Sequence, residues 1–259
     1  MVKGLYTAYT GMLNEQHRMD TLTNNLANVN TTGFKKEGAT SQSFKDALAY
    51  EIKDKSEYNL TKRMGVMNPG VKIGENYVDW SEGAFHETDN TFDLALSDRG
   101  FFEVEFTDKE GNTMVKYTRD GSFTLNINGD LVTKDGDYLL DVNGNHINLD
   151  PLIADTSIDR MGNIFQGGGL VAQIGVTDFE DYNYLEHYGE NYFQTVEGAT
   201  ETPTATRIYS GYLEQSNVSP VSEMVEMIAV TRQYEANQRV IKTIDETLET
   251  AVTSLGRPV

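Results

Sequence analysis

Apolar side chains return every seven residues at both ends of this chain and alternate in short bursts between them. From Leu5 the first heptad position carries Leu5, Met12, Met19 and Leu26, and the fourth carries Ala8, Glu15, Leu22 and Val29. Seven of these eight are apolar, the pattern of a coiled-coil seam or a helix-bundle face. The spacing predicts a helix over residues 3–29, with Gly4 and Gly11 each weakening it by about 1 kcal/mol. The other end repeats the pattern more strongly. Met227, Tyr234, Ile241, Leu248 and Leu255 occupy one position and Val230, Asn237, Ile244 and Ala251 the other. Ser219-Pro220 suits a helix start, and Gly256 and Pro258 suit its end. Asn237 is a polar break that fixes register at some cost in stability. A helix over 221–255 follows. The two seams can pair as one hairpin of helices, while Gln233, Glu235, Arg239 and Lys242 lie off the seam.

The middle of the chain has a strand period. Asp120-Gly121, Asn128-Gly129, Asp135-Gly136 and Asn143-Gly144 punctuate apolar segments at 123–127, 131–134 and 138–142. Such pairs favour the left-handed backbone of tight hairpin turns, so an antiparallel meander is expected. Strands this short need a closed or stacked sheet. Residues 92–106 are expected to form a hairpin bent near Arg99-Gly100. Residues 170–193 add strand and an aromatic group, Phe179, Tyr182, Tyr184, Tyr188, Tyr192 and Phe193, which covers a sheet core or offers a sugar or protein surface. Ser43–Lys53 has a short helical pattern through Phe44, Leu48 and Ile52. The rest of 36–84 has no periodicity that defines its path. The fold class is α+β, mainly β: terminal helices pairing as a coiled coil around a central antiparallel body. The expected partition is 1–35 with 211–259 as the helical domain, 36–84 as a variable connection and 85–210 as the β-rich body.

Charge sharpens this division. The net charge is −19. Residues 1–64 hold nine Lys/Arg against seven Asp/Glu, residues 65–210 eight against twenty-six, and residues 211–259 four against seven. The excess lies in the body, which repels phosphate backbones and makes nucleic acid an unsuitable partner. Near-neutral ends suit burial in an assembly. The start of the chain is a poor match to a cleaved signal peptide, and no stretch is long and apolar enough to span a bilayer.

Candidate chemistry is sparse. With no cysteine there are no disulfides or thiolate metal sites. His17, His86, His146 and His187 lack ligand spacing. Asp108-Lys109-Glu110-Gly111-Asn112 falls short of a calcium loop and suits a hairpin turn. Gly167-Gly168-Gly169 lacks the Lys-Ser/Thr of a phosphate loop. Acidic residues are too abundant in the body for any pair to be singled out as a glycosidase dyad. No catalytic residue, cofactor or metal is expected.

The most unusual stretch follows the first helix: Asn24-Asn25-Leu26-Ala27-Asn28-Val29-Asn30-Thr31-Thr32-Gly33-Phe34-Lys35. Four Asn within seven residues oppose helix and offer amides for fixed hydrogen bonds. Gly33 is a natural point for the chain to leave the helix. This run resembles the N-terminal signature of the bacterial flagellar rod and hook family. GYLEQSNVSPVSEMVEMIAVTRQYEANQRVIKTIDETLETAV resembles that family's closing segment, and DLALSDRGFFEV with YTRDGSFTLNINGDLVTKDGDYLL its central body. Length and all three blocks are most similar to the rod members, the distal rod proteins and their close paralogues.

The resemblance implies a structural, non-enzymatic subunit of the flagellar rod, self-assembling into a helical tube that carries torque from motor to hook. It implies terminal helices lining an axial channel, with the sheet body outside. Assembly contacts are then expected at Leu5, Met12, Met19, Leu22, Asn24, Asn25, Leu26, Asn28, Asn30, Gly33 and Phe34, and at Met227, Val230, Tyr234, Asn237, Ile241, Ile244 and Leu248. The implied partners are copies of the chain, other rod and hook proteins, the flagellar export apparatus and envelope ring proteins, with no direct membrane insertion. The implied place is the basal body outside the cytoplasmic membrane, reached without a cleaved signal peptide. Competing readings are a proximal rod or hook subunit, a binding module built on the aromatic group, and a carbohydrate hydrolase.

Overall fold

The computed structural model describes residues 2–51, 62–108, 111–153, 155–189, 191–203 and 206–255. The expected helix stop at Gly256 and Pro258 lies outside them, as do Lys109 and Glu110 and the side chains of Leu48 and Leu255. In chain order the elements are α1 (Val2–Ala27), β1 (Glu37–Ser43), β2 (Ala47–Glu51), β3 (Lys62–Met67), β4 (Val71–Val78), β5 (Phe85–Glu87), β6 (Leu94–Ser97), β7 (Phe101–Thr107) and β8 (Thr113–Thr118). There follow β9 (Thr124–Leu125), β10 (Leu131–Val132), β11 (Tyr138–Leu139), β12 (Thr156–Ile158), β13 (Asn163–Gln166), β14 (Gly169–Gln173), β15 (Val176–Phe179), β16 (Leu185–Tyr188) and β17 (Tyr192–Thr195). The chain closes with β18 (Glu201–Pro203), β19 (Arg207–Ser210), β20 (Tyr212–Glu214) and α2 (Pro220–Leu255). It divides into two compact units. The first holds Met1–Ala27, Lys36–Asp79 and Val218–Val259, and the second Asn28–Lys35 and Trp80–Asn217.

The first unit is the helix pair with an antiparallel arm. Gly4 of α1 faces Ile244 of α2, Gly11 faces Asn237, Arg18 pairs with Glu226 and Asn25 reaches Glu223. Numbers rise along one helix as they fall along the other, so the helices run antiparallel in one register. The heptad phase holds. Past Val230, buried in the seam, the half-buried positions of α2 include Tyr234, Asn237, Ile241, Ile244 and Ala251, while Leu248 keeps slightly more exposure. Gly11, expected only to weaken the helix, leaves room for Asn237: a Cβ there would lie 3.1 Å from the amide nitrogen. Glu15, the one polar seam residue of α1, is bound by Arg18 at 3.2 Å.

The arm is a ladder. β1 pairs with β4 from Glu37↔Val78 to Ser43↔Val71, and β2 pairs with β3 from Ala47↔Met67 to Glu51↔Lys62. The helix expected over 43–53 is not formed as far as it is described: Ser43 ends β1, residues 44–46 link the strands and 47–51 form β2. Long-range pairing satisfies the backbone of 47–51 and overrides a weak local pattern. The foot of the arm lies on α1: Asn14 donates to Ser41 Oγ at 2.9 Å and Thr7 to the Pro69 carbonyl at 3.2 Å.

The second unit is the sheet body. Its main sheet runs β16-β17-β8-β7-β11-β10-β9, and β7 forks on one side, taking β11 at its C-terminal half and β15 at its N-terminal half. The meander is present. Asn126 to Asp130, Thr133 to Asp137 and Asp141 to Asn145 close three turns of one kind, with Gly129, Gly136 and Gly144 all at positive φ. Asp108–Asn112 closes a fourth, the hairpin between β7 and β8. Gly121 departs from the expectation. It is not left-handed, and it is required because a Cβ would meet the Leu94 carbonyl oxygen at 1.6 Å. The hairpin expected over 92–106 is also corrected: β6 pairs with β19 and β7 with β8, β11 and β15. Asp98 and Gly100, both at positive φ, send the chain round a corner between two ladders.

Alternation in β7 builds two cores. Phe102 and Val104 join Leu94, Leu131, Leu139 and Ile164 on one face. Phe101 points the other way into Tyr117, Phe179, Tyr182 and Phe193, with Trp80 packed across them. Most of the aromatic group is thus core, though Tyr184 and Tyr188 remain exposed. Burial pushes three phenols up: Tyr182 to about 12, and Tyr117 and Tyr192 beyond it, each beside a carboxylate, Asp178, Glu201 and Asp137 respectively. A raised folded-state value contributes stability that is complete below the unfolded value near 10 and is lost as pH rises through the folded one. Three of the fourteen tyrosines should therefore ionise only as the protein unfolds, well above pH 10. Absorbance at 295 nm followed beside circular dichroism checks this. Complete ionisation near pH 10 with the fold intact would contradict it.

Candidate assembly site

Of the expected contact residues, the seam set meets inside the chain. Leu22 and Val230 are buried, and Leu5, Met12, Met19, Leu26, Met227, Tyr234, Asn237, Ile241 and Ile244 are half-buried along the α1–α2 pair. Leu248 is 37% exposed.

The Asn-rich stretch is divided between two tasks. Asn25 has no exposed surface. Its amide nitrogen donates to the Glu37 carbonyl at 2.8 Å and its oxygen accepts from the Glu37 N–H at 3.0 Å, so a side chain on α1 completes the start of β1 as a neighbouring strand would. The same nitrogen reaches Glu223 at 3.3 Å. Glu223 is fully buried in the first turn of α2, where the helix dipole favours a carboxylate. Lys36 donates to its other oxygen, and that hydrogen bond raises the lysine pKa. Asn25 therefore spends its amide within its own chain. Replacing it with alanine leaves the Glu37 N–H and carbonyl unpaired and the buried Glu223 carboxylate short of a donor, a loss of about 2–4 kcal/mol. Urea denaturation of Asn25→Ala checks this, and a loss below about 1 kcal/mol would contradict it.

Asn24 and Asn30 are exposed and Asn28 half-buried. α1 ends at Ala27, and the turn after it is closed by Thr31 donating to the Asn28 carbonyl. Gly33 is thus not the helix stop that its position suggests. It sits at φ 71°, in the second unit, with its α-carbon hydrogen directed at the Arg119–Asp120 backbone; a Cβ would lie 2.4 Å from the Arg119 carbonyl carbon. Phe34 is buried beside it. Lys35 is buried and donates to Glu214 at 2.6 Å and to the Ser81 carbonyl at 2.9 Å. Burial lowers its pKa, and the Glu214 carboxylate opposes that shift. Arg119 approaches the other Glu214 oxygen at 3.4 Å. Nothing in residue spacing or in their sequence neighbours marked Glu214, Arg119 or Glu223.

Two apolar stripes are left open on the helix pair. On α1, Tyr6, Tyr9 and Leu13 are exposed at helical spacing; on α2, Val221, Val225 and Ile228 are. In the antiparallel register these stripes lie towards opposite ends of the pair. Their i, i+3, i+4, i+7 spacing was visible in the sequence, but the stronger seam masked it.

The described residues contain no group of three or more His, Asp and Glu that could hold a metal ion, and no helix is long and apolar enough to cross a membrane. Three family matches cover the parts of the chain already described. Residues 5–35 match "Flagella basal body rod protein", residues 95–166 "Flagellar hook protein FlgE/F/G D1 domain" and residues 209–254 "Flagellar basal body rod FlgEFG protein C-terminal". The chain is 33% identical to the flagellar basal-body rod protein FlgG of Buchnera aphidicola subsp. Schizaphis graminum, over 96% of this chain and 98% of that one. It is 31% identical to the rod protein FlgF of Caulobacter vibrioides over 99% of both. It is 32% identical to FlgG of Bacillus subtilis over 97% and 98%.

Proposed function

This chain belongs to the bacterial flagellar basal-body rod and hook family and is a structural subunit of the rod rather than an enzyme; from that premise we propose that its copies join through the two apolar stripes left open on the helix pair. It assembles with other rod and hook proteins in the flagellar basal body. The observation that carries the contact is the placing of the stripes. Tyr6, Tyr9 and Leu13 lie at one end and Val221, Val225 and Ile228 at the other, so one copy's α2 stripe meets the next copy's α1 stripe. Such a head-to-tail contact does not close on itself and propagates as a helix of subunits. Asn24, Asn28 and Asn30 and the half-buried remainder of the seam complete the contact. The helical domain forms the axial layer, and the body, with twenty-five Asp/Glu against eight Lys/Arg in the second unit, faces outward.

The finer reading is the distal rod, supported by the 33% identity to a FlgG against 31% to a FlgF. Export through the flagellar export apparatus is supported by helices that draw most of their stability from packing. Envelope ring proteins are the outer neighbours. Deleting the gene and imaging basal bodies by electron microscopy tests the proposal. Rods truncated at the distal level and restored by the wild-type gene are expected; intact rods and full motility in the deletion would overturn it.

A further inference from the structure

Glu214 is the meeting point of three stretches of chain that are far apart in sequence. Its carboxylate accepts from Lys35 Nζ at 2.6 Å, from the Gly83 N–H at 3.0 Å and from Arg119 at 3.4 Å. Its carbonyl accepts from the Gly33 N–H at 2.8 Å. Lys35 also holds the Ser81 carbonyl, and Arg119 the Asp98 carbonyl while lying over the Phe101 ring. All of these groups belong to the second unit, and Lys35, Arg119 and Glu214 have side chains no more than 3% exposed.

The second unit connects to the first at four peptide links, 27–28, 35–36, 79–80 and 217–218. Lys35 is at one link, Ser81 and Gly83 lie just beyond another, and Glu214 stands three residues before the last. A buried carboxylate facing two cations is poor value as a source of stability, since desolvation offsets most of the attraction. What it supplies is position: directional, charge-assisted hydrogen bonds in a dry site hold their partners far more narrowly than apolar packing does.

We propose that Glu214 is a positioning residue that clamps these three chain exits at fixed points in the second unit, so that load carried along the chain in the rod enters the body without slack. This rests on the reading of the chain as a rod subunit. Lys35→Met is the informative variant. It removes one of the two cations, leaves the Arg119–Glu214 pair neutral, and so avoids the unpaired buried charge that Glu214→Gln creates.

Hydrogen exchange on the purified full chain is expected to rise at least tenfold at residues 33–36 and 80–84 in Lys35→Met, with the 124–140 meander unchanged. Cells carrying it are expected to assemble rods and swim in dilute medium but to slow sharply in viscous medium. Ile164→Val, a core change of modest cost, serves as control and should leave the response to viscosity as in the parent. Unchanged exchange at the exits, or an equal rise in the meander, would overturn the clamp. Loosened exits with parental swimming under load would overturn its mechanical role while leaving the rod assignment standing; that assignment fails separately, through the deletion strain.

Discussion

Ile228→Glu is expected to leave the chain folded and to abolish rod assembly. Ile228 is 56% exposed in the folded chain, faces away from the Val230 seam, and sits between Val225 and the charged positions Arg232 and Glu235. Glutamate is a good helix former, so the local cost is a few tenths of a kcal/mol. At a subunit contact the same change removes about 1–2 kcal/mol of apolar burial and adds the desolvation of a carboxylate. The contact repeats at every step of the helix, so a loss of about 3 kcal/mol per interface lowers each step's association constant more than a hundredfold. Helical circular dichroism and urea midpoint should match the parent, while soft-agar swimming and rod images should match the deletion. Val230→Glu is the contrasting variant. Val230 is 1% exposed, and charge there breaks the α1–α2 pair, so helical signal itself falls. If Ile228→Glu swims normally, the α2 stripe is not a contact.

Gly33→Ala is expected to be among the most damaging single methyl additions to the chain, because strain and clash fall on one position. Two costs fall on it together. Its φ of 71° is in the left-handed region, where a side chain costs about 1 kcal/mol or more. The added Cβ would lie 2.4–2.6 Å from three backbone atoms of Arg119 and Asp120, and backbone yields less readily than a side chain. The methyl would push out the segment that carries Lys35 to Glu214 and Thr32 to Asp120, the latter a 2.6 Å hydrogen bond. A loss of about 3–5 kcal/mol follows, comparable with the worst overpacking changes. Denaturation midpoints compared with Gly136→Ala isolate the clash. Gly136 has a similar backbone, φ 98°, but open space around its Cβ position. Equal losses at the two sites would show that conformation alone matters at Gly33.

The helix pair was legible because a seam repeats. Seven of eight N-terminal seam positions carry the signal, and one polar break, Asn237, even finds its counterpart in Gly11. The three Asx-Gly turns of the meander were legible for a similar reason: left-handed turns demand glycine locally. The arm was not. Residues 43–53 carry a faint helical pattern, and the strand at 47–51 depends on partners at 62–67 that no local preference announces. Gly121 was read as a turn and is instead a close approach to Leu94, because sequence shows the missing side chain without showing what fills its place. The proposed assembly site was half legible. The Asn run stood out, yet Asn25 and its neighbours looked alike as letters, and only the placement of Glu37 and Glu223 shows why Asn25 is fully buried while Asn24 and Asn30 are exposed.

By itself the sequence determined two seam-bearing helices, an acidic turn-rich body between them, the absence of thiol chemistry and a likeness to flagellar axial proteins. Those properties are periodic, compositional or local, and each is carried by residues that act where they stand. The tertiary structure decided that the seams satisfy each other within the chain, leaving the second stripes open. It also decided that residues 28–35 join the body through Glu214 while Asn25 ties α1 to the arm. Those outcomes depend on which backbone or charge arrives from a distant part of the chain. A hydrogen-bonding group in the interior is satisfied by whatever folding brings within 3 Å, and that pairing is a property of the packed molecule.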